Sequence, residues 1–201
     1  MEIGIISDIH GDLRALDTAL ERLHQHHRVE HIICAGDLIG RGPDGNQVVT
    51  RIRELGIVTV KGNHDEWDNG LSPENAEFLR TLPMDWRGKF GGTAVFMCHG
   101  KPGNNIWGLY RDHISDTLLN MMLESLGADV LITGHTHMPM YIQVEQGCVI
   151  NPGSLYTFNN MRSSSHTYGI LRLPELVFEL YDLTASPEQP VQFSEWMPSK
   201  R

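Results

Sequence analysis

The chain has 201 residues, with 16 Lys+Arg against 25 Asp+Glu and a formal charge of −9, which fits one ordinary domain. This acidic balance argues against a broad basic face for tracking nucleic acid or coating an anionic membrane. With 40% hydrophobic and 20% charged residues, the composition excludes a disordered chain, and no apolar run reaches the roughly 18 residues of a membrane span. The opening residues carry no basic segment ahead of an apolar one, so a first strand is expected there rather than a signal peptide. Cys34, Cys98 and Cys148 make neither a disulfide framework nor a CxxC metal knuckle, and a reducing, cytoplasmic location is the expectation. The unusual count is 11 histidines.

Ile3, Ile5 and Ile6 form an apolar run that predicts a buried strand ending near Ser7. Leu13, Leu16, Leu20 and Leu23 then recur at spacings of three and four, predicting a helix of about four turns. Residues 32–35 form a second strand closing on Gly36. Val48, Val49, Ile52 and Leu55 give a second amphipathic helix, with Pro43 and Asp44 as start signals. A third strand over 57–60 ends on Lys61-Gly62. Three strand–helix units in succession predict parallel strands with right-handed crossovers.

A short helix is expected over 74–79 after Pro73, and a buried strand over 93–97. Ile114, Leu118, Met122 and Leu126 predict another helix, followed by a strand over 130–132. Strands at 140–144, 148–150, 168–173 and 176–181 follow, with turns at Gln146-Gly147 and Pro174-Glu175. Helices early and hairpins late predict two packed sheets covered by helices. One domain is expected over 1–185. Residues 186–201, with Pro187, Pro190 and Pro198, read as a tail, and Phe193 and Trp196 suggest that it docks on the domain or on a neighbouring subunit of a homo-oligomer.

Five short segments sit where predicted strands stop: Asp8-Ile9-His10-Gly11, Gly36-Asp37, Gly62-Asn63-His64-Asp65, His99-Gly100, and Gly134-His135-Thr136-His137. The crevice outside the carboxyl ends of the strands is where open α/β sheets bind ligands. Glycine there permits a tight turn and keeps bulk away from whatever binds. Asp8 and His10, like His135 and His137, are two apart, so in extended chain both side chains of a pair point the same way. Carboxylates, imidazoles and an amide without thiolates suit Mn, Fe, Co, Ni or Zn and disfavour a structural zinc site. Asp8, His10, Asp37, Asn63, His99, His135 and His137 are too many ligands for one ion. Two ions about 3.5–4 Å apart, sharing a carboxylate, would use them all.

The ordered pattern D-x-H, G-D, G-N-H, H, G-H-x-H resembles the calcineurin-like metallophosphoesterase superfamily over residues 1 to 155. The segment from Gly36 through Arg41 to Asp44 and the turn Asn151-Pro152-Gly153-Ser154 are similar to its small prokaryotic phosphodiesterase group. The resemblance implies a four-layer α/β sandwich of two mixed sheets flanked by helices. It implies that Asp8, His10 and His137 hold one divalent metal, that Asn63, His99 and His135 hold a second, and that Asp37 bridges them. Manganese is the first choice, with Fe, Ni, Co or Zn admitted. It further implies that a hydroxide bridging the two ions attacks phosphorus in line. His64 is then the residue that contacts the phosphate or protonates the leaving oxygen.

Around this set, Asn63, His64 and Arg41 are expected to bind the substrate, Arg41 as a bidentate clamp or else as a surface turn residue. Asp65 reads as a turn residue supporting the ligands. Ser154 and Arg162 are further candidates near the site. His24, His26, His27 and His31 read as a solvated helix end, and Cys34 and Cys98 as buried packing residues. The segment over 101–110 should overhang the site. Its Trp107 and Tyr110 either stack on a nucleobase or aryl ester or pack against the body or a neighbouring subunit.

The implied function is a phosphoesterase acting on small phosphodiesters, with no extended nucleic-acid surface and no membrane. The alternatives are a phosphomonoesterase, acting on nucleotides or phosphoproteins, and a non-catalytic scaffold of the same fold.

Overall fold

Alternation of apolar side chains along the strands divides the interior into three layers of packing. The computed structural model describes residues 1–67, 70–157 and 165–193. Its strands are β1 (Glu2–Ile6), β2 (His31–Cys34), β3 (Val58–Thr59), β4 (Asp85–Phe90), β5 (Thr93–Cys98), β6 (Val130–Ile132), β7 (Met140–Val144), β8 (Gly147–Asn151), β9 (Thr167–Arg172) and β10 (Val177–Asp182). Its α-helices are α1 (Leu13–Glu21), α2 (Gly45–Glu54), α3 (Pro73–Thr81) and α4 (Asp116–Leu126). One sheet runs β10-β9-β1-β2-β3 and the other β4-β5-β6-β8-β7. Both are mixed. β1, β2 and β3 are parallel with β9 antiparallel to β1, and β5, β6 and β8 are parallel with antiparallel edges.

Ile3, Ile5 and Ile33 point from the first sheet into a core shared with Val95, Met97, Val130, Ile132, Cys148 and Ile150 of the second. The alternate residue Ile6 points the other way, onto Leu16, Leu20, Val48 and Ile52 of α1 and α2. Phe96, Leu131 and Val149 point away from the first sheet onto Leu119 and Leu123 of α4. Each such side chain contributes about 1.5–3 kcal/mol by leaving water. The result is the expected order of helix, sheet, sheet and helix.

Four local readings change. β4 is not foreseen, because its inward positions are Trp86, Gly88 and Phe90. The glycine interrupts the alternation, and the Trp86 ring covers it: a methyl on Gly88 would lie 2.2 Å from Trp86 Cη2. The first helix stops at Glu21 and widens into a π-helical turn over Arg22–His27, closed by Arg28 at φ +55°. His24 and His26 are exposed there. His27 is instead half-buried, 3.0 Å from Tyr168 Oη, and His31 on β2 stacks against Phe90. In α4 the buried stripe is Leu119 and Leu123, while Leu118 is 48% exposed. Ile114, Met122 and Leu126 of the predicted stripe still pack against this core, and only Leu118 leaves it, its place taken by Leu119.

All three cysteines are free and buried. Near the carboxyl end the Val191 amide donates to the Leu180 carbonyl, and Phe193 packs on Tyr141 and Phe178. Trp196 and Pro198 lie outside the described residues. Among the described residues no helix is long and apolar enough to cross a membrane.

The choice of α4 face is testable by unfolding in denaturant. Leu119→Ala should destabilise by about 2–5 kcal/mol, whereas Leu118→Ala should stay within about 0.5 kcal/mol of the parent. The reverse order would restore the stripe read from the sequence.

Candidate metal centre

The five motif segments follow β1, β2 and β3 of one sheet and β5 and β6 of the other, each beginning within three residues of the strand's carboxyl end. Both sheets therefore deliver their parallel strand ends to one edge. Hydrogen bonds cross between them there. The His135 amide donates to Asp8 Oδ2 at 3.1 Å, and His99 Nδ1 lies 2.7 Å from the Ala35 carbonyl.

Asp8, His10, Asp37, His135 and His137 have φ between +49° and +66°. Left-handed backbone costs a residue other than glycine about 1–2 kcal/mol. The Asp8 amide holds Gly36 O at 2.9 Å, His10 holds Asp37 O at 2.9 Å and Gly11 holds Leu38 O at 2.8 Å, which keeps the chain in these turns. The pairs two residues apart thus reach the cleft through successive left-handed positions, not through the extended pleat that their spacing predicts.

Asp8, His10, Asp37 and His137 each offer a donor atom, all within 4.8 Å of one another. His10 Nε2 is 3.1 Å from His137 Nε2 and 3.6 Å from Asp37 Oδ2. His137 Nε2 is 3.2 Å from Asp8 Oδ1. A second group gathers on Asn63, whose Oδ1 is 2.9 Å from His135 Nδ1 and 3.2 Å from His99 Nε2. His99 Nε2 is also 3.3 Å from Asp37 Oδ2. One oxygen of Asp37 therefore faces imidazoles of both groups.

The donor chemistry fits a cation. His10 Nδ1 is directed at the Ile39 carbonyl at 3.2 Å, so its proton belongs there and Nε2 presents a lone pair to the cluster, the usual way a metal-binding imidazole is oriented. Two such nitrogens face each other only across a proton or a cation. Asp8 Oδ2 is occupied by Ser7 Oγ at 2.6 Å, but Asp8 Oδ1 is buried with no donor in hydrogen-bonding geometry among the described residues.

Burial sets the charges. It pushes His10 down to about 4 despite Asp8 and Asp37, and lowers His135 with help from the His99 charge. Burial alone would raise both carboxyls. His137 and His99 hold Asp8 below the ordinary range, and His99 and His10 do the same for Asp37. Against burial, the Asp37 charge pushes His99 up to about 10. Without metal, then, Asp37 and His99 form a buried ion pair, and a cation taking the His99 lone pair displaces its proton.

Residues 1–175 match the family model described as the calcineurin-like phosphoesterase superfamily domain. The chain belongs to that superfamily. It is 33% identical over 155 residues to a probable metallophosphoesterase of Methanothermobacter thermautotrophicus, covering 77% of each chain. It is 28% identical over 164 residues to a phosphodiesterase of Methanocaldococcus jannaschii, covering 76% of this chain and 83% of that one. In fold it is similar to the crystal structure of a metallophosphoesterase from Sphaerobacter thermophilus, with a TM-score of 0.70, 24% identity, and 96% and 89% of the two chains covered. The protein is accordingly a metal-dependent phosphoesterase.

In this phosphoesterase His64 lies beside the ligands without joining the four-residue cluster. Its ring meets that of His10 at right angles with centroids 4.9 Å apart, and its amide donates to Asp37 Oδ1 at 2.9 Å. Arg41 is exposed on the turn after Gly40. Ser154 is buried and its hydroxyl donates to the Asp8 carbonyl at 2.9 Å, so it braces the loop instead of entering the cleft. Arg162 lies outside the described residues.

Asp65 carries more than the turn role that its sequence position suggests. Its two oxygens accept from the amides of Asp37, Leu38, Ile39 and Gly62, which ties the Asp37 loop to the Asn63 loop. Burial and the Asp37 charge push its carboxyl up to about 7. The glycines make the expected turns, Gly11 and Gly36 at positive φ, and they also clear room for the protein's own side chains. A methyl on Gly62 would lie 2.0 Å from Asp37 Oδ1, and one on Gly36, at φ +94°, 3.0 Å from His99 Nδ1.

The left-handed ligands make a strain prediction. In chelator, His137→Gly should be more stable to denaturant than His137→Ala by about 1 kcal/mol, because glycine meets no penalty at this φ. An alanine variant as stable as the glycine variant would contradict it.

Proposed function

We propose that this phosphoesterase hydrolyses small phosphodiesters with two divalent ions. Asp8, His10 and His137 would hold one ion, Asn63, His99 and His135 the other, and Asp37 both. The observation that carries the reading is Asp37 Oδ2, 3.6 Å from His10 Nε2 and 3.3 Å from His99 Nε2. Nitrogen and oxygen donors admit Mn, Fe, Ni, Co and Zn alike, and manganese is taken first among them from the family resemblance. When bound, such ions act as Lewis acids on phosphoryl oxygens and activate water.

The chain's own residues have separate tasks. Asp37 fixes the spacing of the two ligand groups. Asn63 and His64 border the position where phosphate would lie, and His64 is the group that can give a proton to the departing oxygen. Arg41 would clamp a phosphoryl oxygen from the rim. The preference for diesters is supported by similarity to the relative named a phosphodiesterase, and the −9 charge favours small esters over polymeric nucleic acid. Seven intact ligand positions disfavour a purely structural role. Free, buried cysteines agree with a cytoplasmic setting.

With added Mn²⁺, kcat/KM should be higher on bis(p-nitrophenyl) phosphate than on p-nitrophenyl phosphate, and Asp37→Ala should remove activity on both. Higher efficiency on the monoester would make the protein a phosphomonoesterase. His64→Ala should lower turnover about 10²-fold on an alkyl leaving group and much less on p-nitrophenolate, which departs without a proton. Equal losses on the two would remove the proton-donor role.

A further inference from the structure

The segment after His99 is tied tightly to itself and to the metal centre, yet it leaves its largest apolar side chains in water. It folds back on its start: a methyl on Gly100 would lie 2.5 Å from Asn104 O and 2.7 Å from Trp107 O. Lys101 and Asn104 exchange backbone hydrogen bonds at 2.9 and 2.8 Å. Asn104 Oδ1 accepts from the amides of Ile106 and Trp107, both at 2.9 Å. The loop then returns to the ligands. A methyl on Gly108 would lie 2.4 Å from Thr136 Cγ2, 3.1 Å from His135 Cδ2 and 3.5 Å from Tyr110 Cε2. Leu109 anchors it in the core beneath α4.

With Leu109 turned inward, Trp107 remains 66% exposed and Tyr110 41%. Folding gives no reason to hold an indole in solvent on an ordered turn, and exposed aromatic surface of this kind marks binding. A second exposed indole, Trp67 at 71%, follows His64 by three residues, its amide donating to the His64 carbonyl. Trp86, by contrast, lies within β4, paired with Met97 of β5, and packs on the core between the sheets. The described tryptophans left in water are thus those on ligand-bearing loops.

We infer that the loop over residues 100–110 is the specificity surface of this enzyme, where Trp107 and Tyr110 stack on the aromatic ester group of a nucleoside or aryl phosphodiester. The inference rests on the phosphodiesterase reading and adds the chemical class of the substrate. Aromatic faces accept any base because every base offers a π-face. The close approach of Gly108 to His135 keeps this loop beside the candidate metal centre. The acidic chain provides no basic track for further phosphates, so one nucleoside or aryl group beside one diester is the occupant that fits.

Three diesters sharing the p-nitrophenolate leaving group test this in the Mn²⁺-loaded enzyme: the methyl ester, the phenyl ester and the thymidine 5′ ester. The parent should prefer the phenyl and thymidine esters to the methyl ester through KM. In Trp107→Ala, kcat/KM should fall about tenfold more on the thymidine ester than on the methyl ester, and Trp107→Phe should restore most of the difference. Equal effects on both esters would overturn the inference while leaving the diesterase reading intact. So would a change of sedimentation on Trp107→Ala without a change in discrimination, which would make the patch a contact between copies. No turnover on any of the three would overturn the phosphodiesterase reading and this inference with it.

Discussion

The structure turns on a buried carboxylate, Asp37, facing imidazoles from two separate sheets. His10 arrives from the loop after β1, His99 from the end of β5, and both Nε2 atoms approach Asp37 Oδ2. A buried charge is costly unless it is paired and hydrogen-bonded. Asp37 has both kinds of support: His99 opposite Oδ2, and the His64 amide on Oδ1. Everything else at this edge serves to hold that carboxylate where both groups of ligands can use it.

The fold meets that demand by aligning the parallel strands of two sheets so that their carboxyl ends share one edge. Two stacked sheets, sealed by Ile3, Ile5, Met97 and Ile132, give a rigid base from which short loops project. Those loops are strained. Five candidate ligands occupy left-handed backbone. Such strain persists where surrounding structure over-determines it, and Asp65 is the plainest instance. Its four amide contacts join two loops that would otherwise be free to separate.

Much of this was legible in the sequence because ligands are constrained by chemistry as well as by packing. Asp8, His10, Asp37, Asn63, His99, His135 and His137 stood out as residue types able to bind metal at the ends of apolar runs. The structure brings Asp8, His10, Asp37 and His137 into one cluster and sets Asn63, His99 and His135 beside it. The core strands were legible for the same reason, since Ile, Val and Leu at strand spacing leave few alternatives. What was hidden depended on contacts distant in the chain. In α4 the place of Leu118 is taken by Leu119 and Leu123, packed with Leu131 and Val149. β4 was masked by Gly88, whose place in the inward row is filled by the Trp86 ring. The left-handed conformations of the candidate ligands carry no signal in the sequence beyond the glycines Gly11, Gly36 and Gly134 beside His10, Asp37 and His135. Asp65 was legible as a supporting turn residue, but its four amide partners on two loops were not. His27 left the solvated group because the π-helical turn swings it onto Tyr168.

The central claim is that one carboxylate serves two ion sites, and metal stoichiometry tests it most directly. Equilibrium dialysis against Mn²⁺ followed by elemental analysis should find two ions per chain in the parent and two in His64→Ala. Asp37→Asn, which keeps the shape but loses the charge, should lose both ions together at concentrations that saturate the parent. Saturation at one ion per chain, or two ions held with parental affinity by Asp37→Asn, would contradict the account.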